Sequence, residues 1–444
     1  MSITQRMWRH FQFMRRPPQL NHELAVPQRP DANTGLARKQ ESTVIQDGQI
    51  DVRDLIARYD FGKHAELADA YFEPLLNNPI IRRKPFAHVH EAIQIMGEFS
   101  HVIDGLRLFQ QAKVLDFGAG TCWSSRILAT LGAQVTAVDV SRNALDIGRS
   151  IQEQDPATRD LPIDYRVFDG RSLPADSGTF DRILSFDAFH HVPDQGAVLR
   201  EFARVLTDDG IAGFAEPGPH HSLTPSSQME MKAFNVIEND IRVEDIWAVA
   251  RECGFADIKL SFVMPRQELV SLNDFNRIIE RQSAPDQLVF SPTNAAIHQN
   301  RRVFFLHKSS SVVTDSRIAE GLHYQLRLVE LSPMPQVARL VLDLKNTGIS
   351  VWRPSGGEPG SVNIGVHLRA QDGQLINNDF TRLPISDSRV MPGDELKLTV
   401  DLPLPDIASF EVELDLVSEN VTWFETFRNT PLKLSFRNGQ YQSG

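Results

Sequence analysis

From about residue 110 the chain alternates short apolar runs with longer stretches of helical period. Apolar runs fall at 113–117, 134–139, 163–168, 180–186, 210–215, 256–263 and 301–307. Between them, apolar residues recur at three- and four-residue steps over 121–131, 141–153, 194–206 and 243–253. Strands alternating with helices of ten or more residues predict an α/β domain with a doubly wound, mostly parallel, seven-stranded sheet. The last two runs lack an ordinary crossover and are separated by an inserted helix near 272–282. Upstream, 51–59, 65–76 and 85–108 read as helices, the last through Val89, Ile93, Met96, Val102, Ile103 and Leu106.

After Lys308 the helical period stops. Alternating segments follow at Tyr324–Leu331, Val337–Leu344, Val362–Leu368, Leu396–Leu402, Phe410–Leu416, Val421–Phe427 and Leu432–Phe436. Turns such as Asn346-Thr347-Gly348 and Pro392-Gly393-Asp394 separate them, which predicts an all-β, immunoglobulin-like antiparallel sandwich. The expected organisation is a basic and linker-like segment over 1–49, an α/β domain with a helical N-terminal cap over 50–308, a linker over 309–319 and a β-sandwich over 320–438.

Charge and composition narrow the function classes. The net charge of −11 disfavours a broad nucleic-acid surface, which needs many cations facing phosphate. Cys122 and Cys253 are the only cysteines, so no disulfide framework and no cysteine-based zinc cluster is expected. No apolar run approaches the ~18 residues that span a bilayer, and a cytoplasmic protein is the simplest expectation. Residues 1–22 carry Arg6, Arg9, Arg15 and Arg16 and no acid, with Met7, Trp8, Phe11 and Met14 near one helical face. They read as a disordered tail, as a basic amphipathic helix touching a partner or the inner face of a membrane, or as a transit peptide.

The chemistry concentrates after the first strand. Val114-Leu115-Asp116-Phe117-Gly118-Ala119-Gly120 runs from an apolar strand through an acid into a glycine turn. Glycines there let the backbone approach a ligand. Position 123 is tryptophan rather than the third glycine of a dinucleotide fingerprint, and Asp116 would repel a polyphosphate but suits a cation. The second strand ends in Asp139, placed to accept from both hydroxyls of a ribose. The chain also contains Phe168-Asp169-Gly170, then Phe180–Asp187 leading into Ala188-Phe189-His190-His191-Val192-Pro193-Asp194, and Arg204–Gly210 before the fifth strand.

These motifs resemble those of the class I S-adenosylmethionine-dependent methyltransferases over about residues 85–308; the family's L-(K/R)-P-G-G turn is present here without its proline. The resemblance implies S-adenosylmethionine as cofactor, an antiparallel final strand pair and a helical cap over the cleft. It implies Asp116, Gly118, Gly120, Asp139, Val140, Asp169, Gly170 and Asp187 as cofactor-binding residues, Asp187 either touching the ligand or only capping the segment after it. A hydroxyl acceptor needs a base, for which His190, His191, Glu216 and His220 stand at strand ends, with His221 beside them. No ligand spacing forces a metal, and none is expected.

The second domain resembles sandwich modules appended to bacterial polysaccharide enzymes, with Trp352, Trp423 and Phe424 read either as sugar-stacking or as core residues. The expected reaction is O-methylation of a sugar hydroxyl on a glycan or activated sugar, in polysaccharide biosynthesis. The alternatives are a quinone-like or amine acceptor, or a glycan-binding scaffold with a vestigial fold. Residues 320–440 hold 11 basic and 16 acidic residues, so the sandwich is expected to bind the acceptor or form a homodimer, not to bind nucleic acid.

Overall fold

The computed structural model describes residues 48–59, 61–76, 78–264, 271–273, 276, 292–310, 314–334, 336–437 and 440–442. The readings for residues 1–22, and for nearly all of the helix near 272–282, lie outside them. Two compact units result. The first takes the described residues up to Leu106 with Lys113–Thr130 and Val135–Lys308; the second takes Arg107–Ala112, Leu131–Gln134 and the chain from Ser309.

The first unit opens with helices α1 (Val52–Arg58), α2 (Phe61–Phe72), α3 (Pro79–Arg82) and α4 (Val89–Leu106). The alternating part follows as β1 (Lys113–Phe117), α5 (Trp123–Thr130), β2 (Gln134–Asp139), α6 (Arg142–Gln154), β3 (Ile163–Val167), β4 (Phe180–Phe186), α7 (Gln195–Val205) and β5 (Leu206–Pro217). Then come α8 (Pro225–Phe234), α9 (Val243–Glu252), β6 (Asp257–Ser261), α10 (Pro292–Asn300) and β7 (Arg301–His307).

The seven strands form one sheet in the order β3-β2-β1-β4-β5-β7-β6. β4 runs parallel to β1 and β5, while β7 is antiparallel to both β5 and β6. The strand order reverses between β1 and β4, and an open α/β sheet binds ligands at such a switch point, beyond the carboxyl ends of its strands. β1 and β4 are buried along nearly their whole length because both their faces are covered.

Helix starts follow local chemistry. Ser141 caps α6 by accepting from Ala144 N, and Asp194 caps α7 by accepting from Ala197 N. Two helices escaped the periodicity reading. α8 has its few apolar residues, among them the buried Met231, too scattered for a stripe, with Thr224 as its cap and Pro225 in its first turn, and α10 has no apolar stripe. α4 lies close on the sheet because Gly105 faces the Phe305 ring, where an added Cβ would sit 2.0 Å from Cζ.

The second unit is all β, in two antiparallel sheets. One is β12 (Glu395–Pro403), β9 (Val337–Asn346) and β8 (Tyr324–Met334). The other is β11 (Leu375–Pro384), β10 (Val362–Arg369), β13 (Ser409–Ser418), β15 (Leu432–Arg437) and β16 (Gln440–Gln442), with β14 (Thr422–Trp423) on β13. Leu340, Leu342 and Leu344 of one sheet share a core with Ile364, Val366, Val412 and Leu414 of the other.

The strand expected over Val421–Phe427 is cut to two residues. Asp415 accepts from Glu425 N and from the Tyr324 hydroxyl, which turns the chain into a short 3₁₀ helix at Phe424–Phe427. Trp352 and Phe424 are completely buried and pack on each other, so neither offers a face to a sugar. Trp423 packs over Gly365, with the His367 ring 4.0 Å away and the Arg382 guanidinium 4.9 Å from its own ring.

Candidate functional site

The cleft opens where β1, β2 and β4 end. Gly118 and Gly120 both take positive φ, +67° and +53°, which turns the chain sharply off β1. Gly118 N and Ala119 N donate to Val138 O, fixing the loop to β2. A Cβ on Gly118 would lie 2.3 Å from that of Ala188, whereas Gly120 faces open space. Two glycines of one motif therefore do different work. The first permits close packing, and the second leaves the backbone bare on its open side.

Asp139 ties the loop to the next helix. Its Oδ2 accepts from Gly120 N and its Oδ1 from Ser141 N, each at 2.8 Å. Burial raises its carboxyl above the ordinary range, while these two amides and His191 oppose the rise. With Phe117, Gly118, Val138, Val140, Phe168, Ala188, His191, Val192, Pro193 and His64 it lines a half-open cleft. Apolar walls with one carboxylate at the rim suit a purine face and a ribose diol.

The other acids expected at the cofactor take different places. Asp116 does not line this cleft; its Oδ2 accepts from Ser124 Oγ at 2.7 Å and Ser125 Oγ at 2.5 Å, pinning the first turn of α5 onto β1. Burial raises its carboxyl to about 6. A positive ligand group is thus not met by Asp116 directly. Asp169 is exposed, and its Oδ1 accepts from Arg171 N and Ser172 N in a turn that lets Gly170 adopt φ +82°. Asp187, at φ +50°, holds Arg301 at 2.6 Å, and Arg301 in turn grips the buried Glu98 of α4 at 2.5 Å.

The histidines are separated in role by their partners. His190 is buried, with Nδ1 2.7 Å from Glu216 Oε2. Glu216 is fully buried and also accepts from Ser185 Oγ, Ala188 N and Phe189 N. That leaves it no face toward an acceptor, so it positions the turn and is not itself a base. Burial lifts its carboxyl to about 7, and burial followed by the neighbouring His191 holds His190 well below the ordinary imidazole value. His191 lines the cleft and donates from Nδ1 to Ile237 O at 2.6 Å, which leaves Nε2 as its acceptor. Burial, the largest single influence, would lower its pKa, but Glu238, the bond to Ile237 O and the carboxylates of Glu230 and Glu216 together hold it above the usual value.

His220 lies apart from this group. It is exposed at φ +68°, and the left-handed turn there sends His221 inward instead, onto Glu238 Oε2 at 2.7 Å. His190, His191 and His221 form a ring cluster, with centroids 3.9 Å and 5.1 Å from that of His190.

Three residues escaped the sequence reading. Glu238 sits in the short connection between α8 and α9, outside any periodic stretch, and Glu98 lies inside a helix read only for its apolar face. His64 reaches the cleft because Asp69, on the same helix, accepts from Ser141 Oγ and Asn143 N at the start of α6. Burial, followed by the nearby His191, lowers its pKa to about 4.

Parts of the chain are similar to known methyltransferases. Residues 115–214 match the family described as a methyltransferase domain. The chain is 36% identical over 100 residues to a ubiquinone biosynthesis O-methyltransferase of Xanthomonas oryzae pv. oryzae, and 35% identical over 102 residues to that of Xanthomonas campestris pv. campestris. Each match takes in 22% of this chain and 40% of the relative, so the chain spans about two fifths of the length of these proteins. Among solved structures it is similar to an S-adenosylmethionine-dependent methyltransferase from Mesorhizobium loti, at 19% identity and a TM-score of 0.37, over 48% of this chain and 98% of that one.

The cleft fits S-adenosylmethionine on its own terms. Asp139 keeps one accepting position on each oxygen beyond its two amide bonds, and Gly120 presents bare backbone. With its strand order and its glycine turn the first unit has the class I methyltransferase fold, and residues 115–214 within it match a methyltransferase domain.

Proposed function

We propose that this chain is an O-methyltransferase in which His191 takes the proton from an acceptor hydroxyl. The observation that carries this is the seat of His191. It forms part of the same cleft wall as Asp139, and its Nδ1 is committed to Ile237 O, so its Nε2 is the basic atom. When bound, S-adenosylmethionine supplies an electrophilic methyl on a cationic sulfur. The chain's part is to hold the ribose with Asp139, wall off water with Phe117, Phe168 and Val192, and fix the base. His190 and Glu216 keep the histidine turn in place.

Two acceptor classes follow. A quinone-like small molecule carrying a hydroxyl is supported by the similarity to ubiquinone biosynthesis O-methyltransferases over 100 residues. A sugar hydroxyl on a glycan or its activated precursor is supported by the turn pattern of the second unit. That support is narrower with Trp352 and Phe424 in the core.

Labelled S-adenosylmethionine, offered with a hydroxylated quinone precursor and separately with a glycan extract, tests both. Label in an oxygen ether of either is expected, with the product deciding between them. His191→Asn should lower turnover by about 10²–10⁴-fold and leave cofactor affinity unchanged. Label on nitrogen, or full activity of His191→Asn, would refute the proposal.

A further inference from the structure

A second chemical centre lies beside the cleft. His190, His221 and Glu238 each bring one ligand-capable atom to within 4.8 Å of the other two. They come from three separate places: the turn after β4, the turn after β5 and the connection between α8 and α9. No local sequence pattern links them, and the fold alone gathers them. His190 and Glu238 are buried and His221 is half-buried.

We propose that these three side chains bind one divalent transition-metal ion of the zinc type. Two imidazoles and one carboxylate are a ligand set that zinc takes in catalytic sites, where a fourth position stays open. The surroundings supply the outer partners such a site needs. Glu216 occupies His190 Nδ1 at 2.7 Å, which leaves Nε2 for the metal and fixes the ring plane. Ser227 Oγ donates to Glu238 Oε2 at 3.1 Å, and Asp240 Oδ1 holds the His221 turn through Ser222 N at 2.8 Å. His221 Nε2 and Glu238 Oε2 are hydrogen-bonded at 2.7 Å, so an ion would take the place of the shared proton and part the two atoms to about 3.3 Å, the spacing of adjacent ligands on a tetrahedral ion.

The open position gives the site a use. The His191 ring packs at a tilt against that of His190, with centroids 3.9 Å apart, and lines the cofactor cleft, so the metal borders the space where an acceptor oxygen must stand. A hydroxyl bound to the ion loses its proton far more readily than in water. This second step rests on the proposed O-methyl transfer, whereas metal binding does not.

The test uses the full chain without an affinity tag, stripped with a chelator and dialysed. Titration with Zn²⁺ by calorimetry, and with Co²⁺ by its visible ligand-field absorption, should show one ion per chain. Glu238→Gln and His221→Ala should abolish that binding. Glu216→Gln should weaken it roughly 10–100-fold, as loss of an outer-shell partner does. Glu238→Gln nearly preserves shape, so it decides the matter if His221→Ala fails to fold. Absence of binding, or binding unchanged in Glu238→Gln, overturns the site. Methyl transfer lost on chelation and restored by Zn²⁺ supports the acceptor role, and activity indifferent to chelation overturns that role. If no acceptor is methylated at all, the proposed function fails while the titration still judges the metal.

Discussion

Asp139→Asn separates direct contact with the ribose from support of the loop. In the wild type the carboxylate accepts from Gly120 N and Ser141 N, one on each oxygen. The remaining lone pair on each oxygen is what a vicinal diol would use. Asparagine keeps the shape but turns one oxygen into an NH₂ donor. That donor confronts one of the two amides and leaves a single neutral acceptor for the diol. A hydrogen bond to a charged group contributes about 1.5–3 kcal/mol. Losing one such bond and the charge on the other should cost about 3 kcal/mol, or roughly 100-fold in Kd.

Loosening of the loop would also weaken binding, so affinity alone does not decide. Calorimetry with S-adenosylhomocysteine and its 2′-deoxy analogue, on both proteins, does. Direct contact predicts that the wild type binds the deoxy analogue about tenfold or more weakly, and that Asp139→Asn hardly distinguishes the two ligands. If the variant weakens both equally and keeps the discrimination, Asp139 acts through the loop and the ribose assignment is wrong.

Two further predictions concern the same strand end. Gly118→Ala places a methyl 2.3 Å from Ala188 Cβ at positive φ and should destabilise the domain by about 3 kcal/mol or more, whereas Gly120→Ala, at positive φ but facing open space, should cost only about 1–2 kcal/mol, that of a left-handed residue, and lose cofactor affinity. Equal melting temperatures for the two variants would contradict the division of labour. Asp116, raised from 3.8 to about 6, is favoured by folding in its protonated form, so its stabilising contribution is complete below about pH 3.8 and is lost as pH rises through about 6. The change is worth about 3 kcal/mol, and Asp116→Asn, which imitates the protonated acid, should flatten that part of the urea-denaturation profile between about pH 4 and pH 7.

The sheet was legible because burying both faces of β1 and β4 demands largely apolar runs, and the intervening amphipathic helices demand a different period. Asp139 was legible for a related reason, since a carboxylate that closes an apolar strand must end where the strand leaves the core. What escaped was set by tertiary approach. β11 has five exposed residues in a row and no alternation, so nothing marks it as a strand except the neighbour β10. His64 and Glu238 carry no signal of their own, because the bonds through Asp69 and His221 that place them join distant segments. The seat of Asp116 had a local trace, namely the hydroxyl pair Ser124-Ser125 in the first turn of the following helix, where a side chain can bond back to the strand end.

The adjacent histidines show how the fold divides one motif into two functions. Two anchors, one half-buried and one fully buried, hold the turn after β4. Asp187 is fixed by Arg301, which Glu98 holds from the cap helix α4, and Glu216 gathers Ala188 N, Phe189 N and the His190 ring. Such groups are costly to bury, and removing one partner strands the other, at about 3–5 kcal/mol for a buried ion pair. An apolar filling would stabilise the turn more cheaply but would leave it free to rock. Anchored in this way, the short 3₁₀ turn Phe189–His191 directs His190 toward Glu216 and the interior, and His191 toward the cleft. The stability given up in burying charge is therefore spent on orientation, which is what a group that must meet a hydroxyl at hydrogen-bond distance requires.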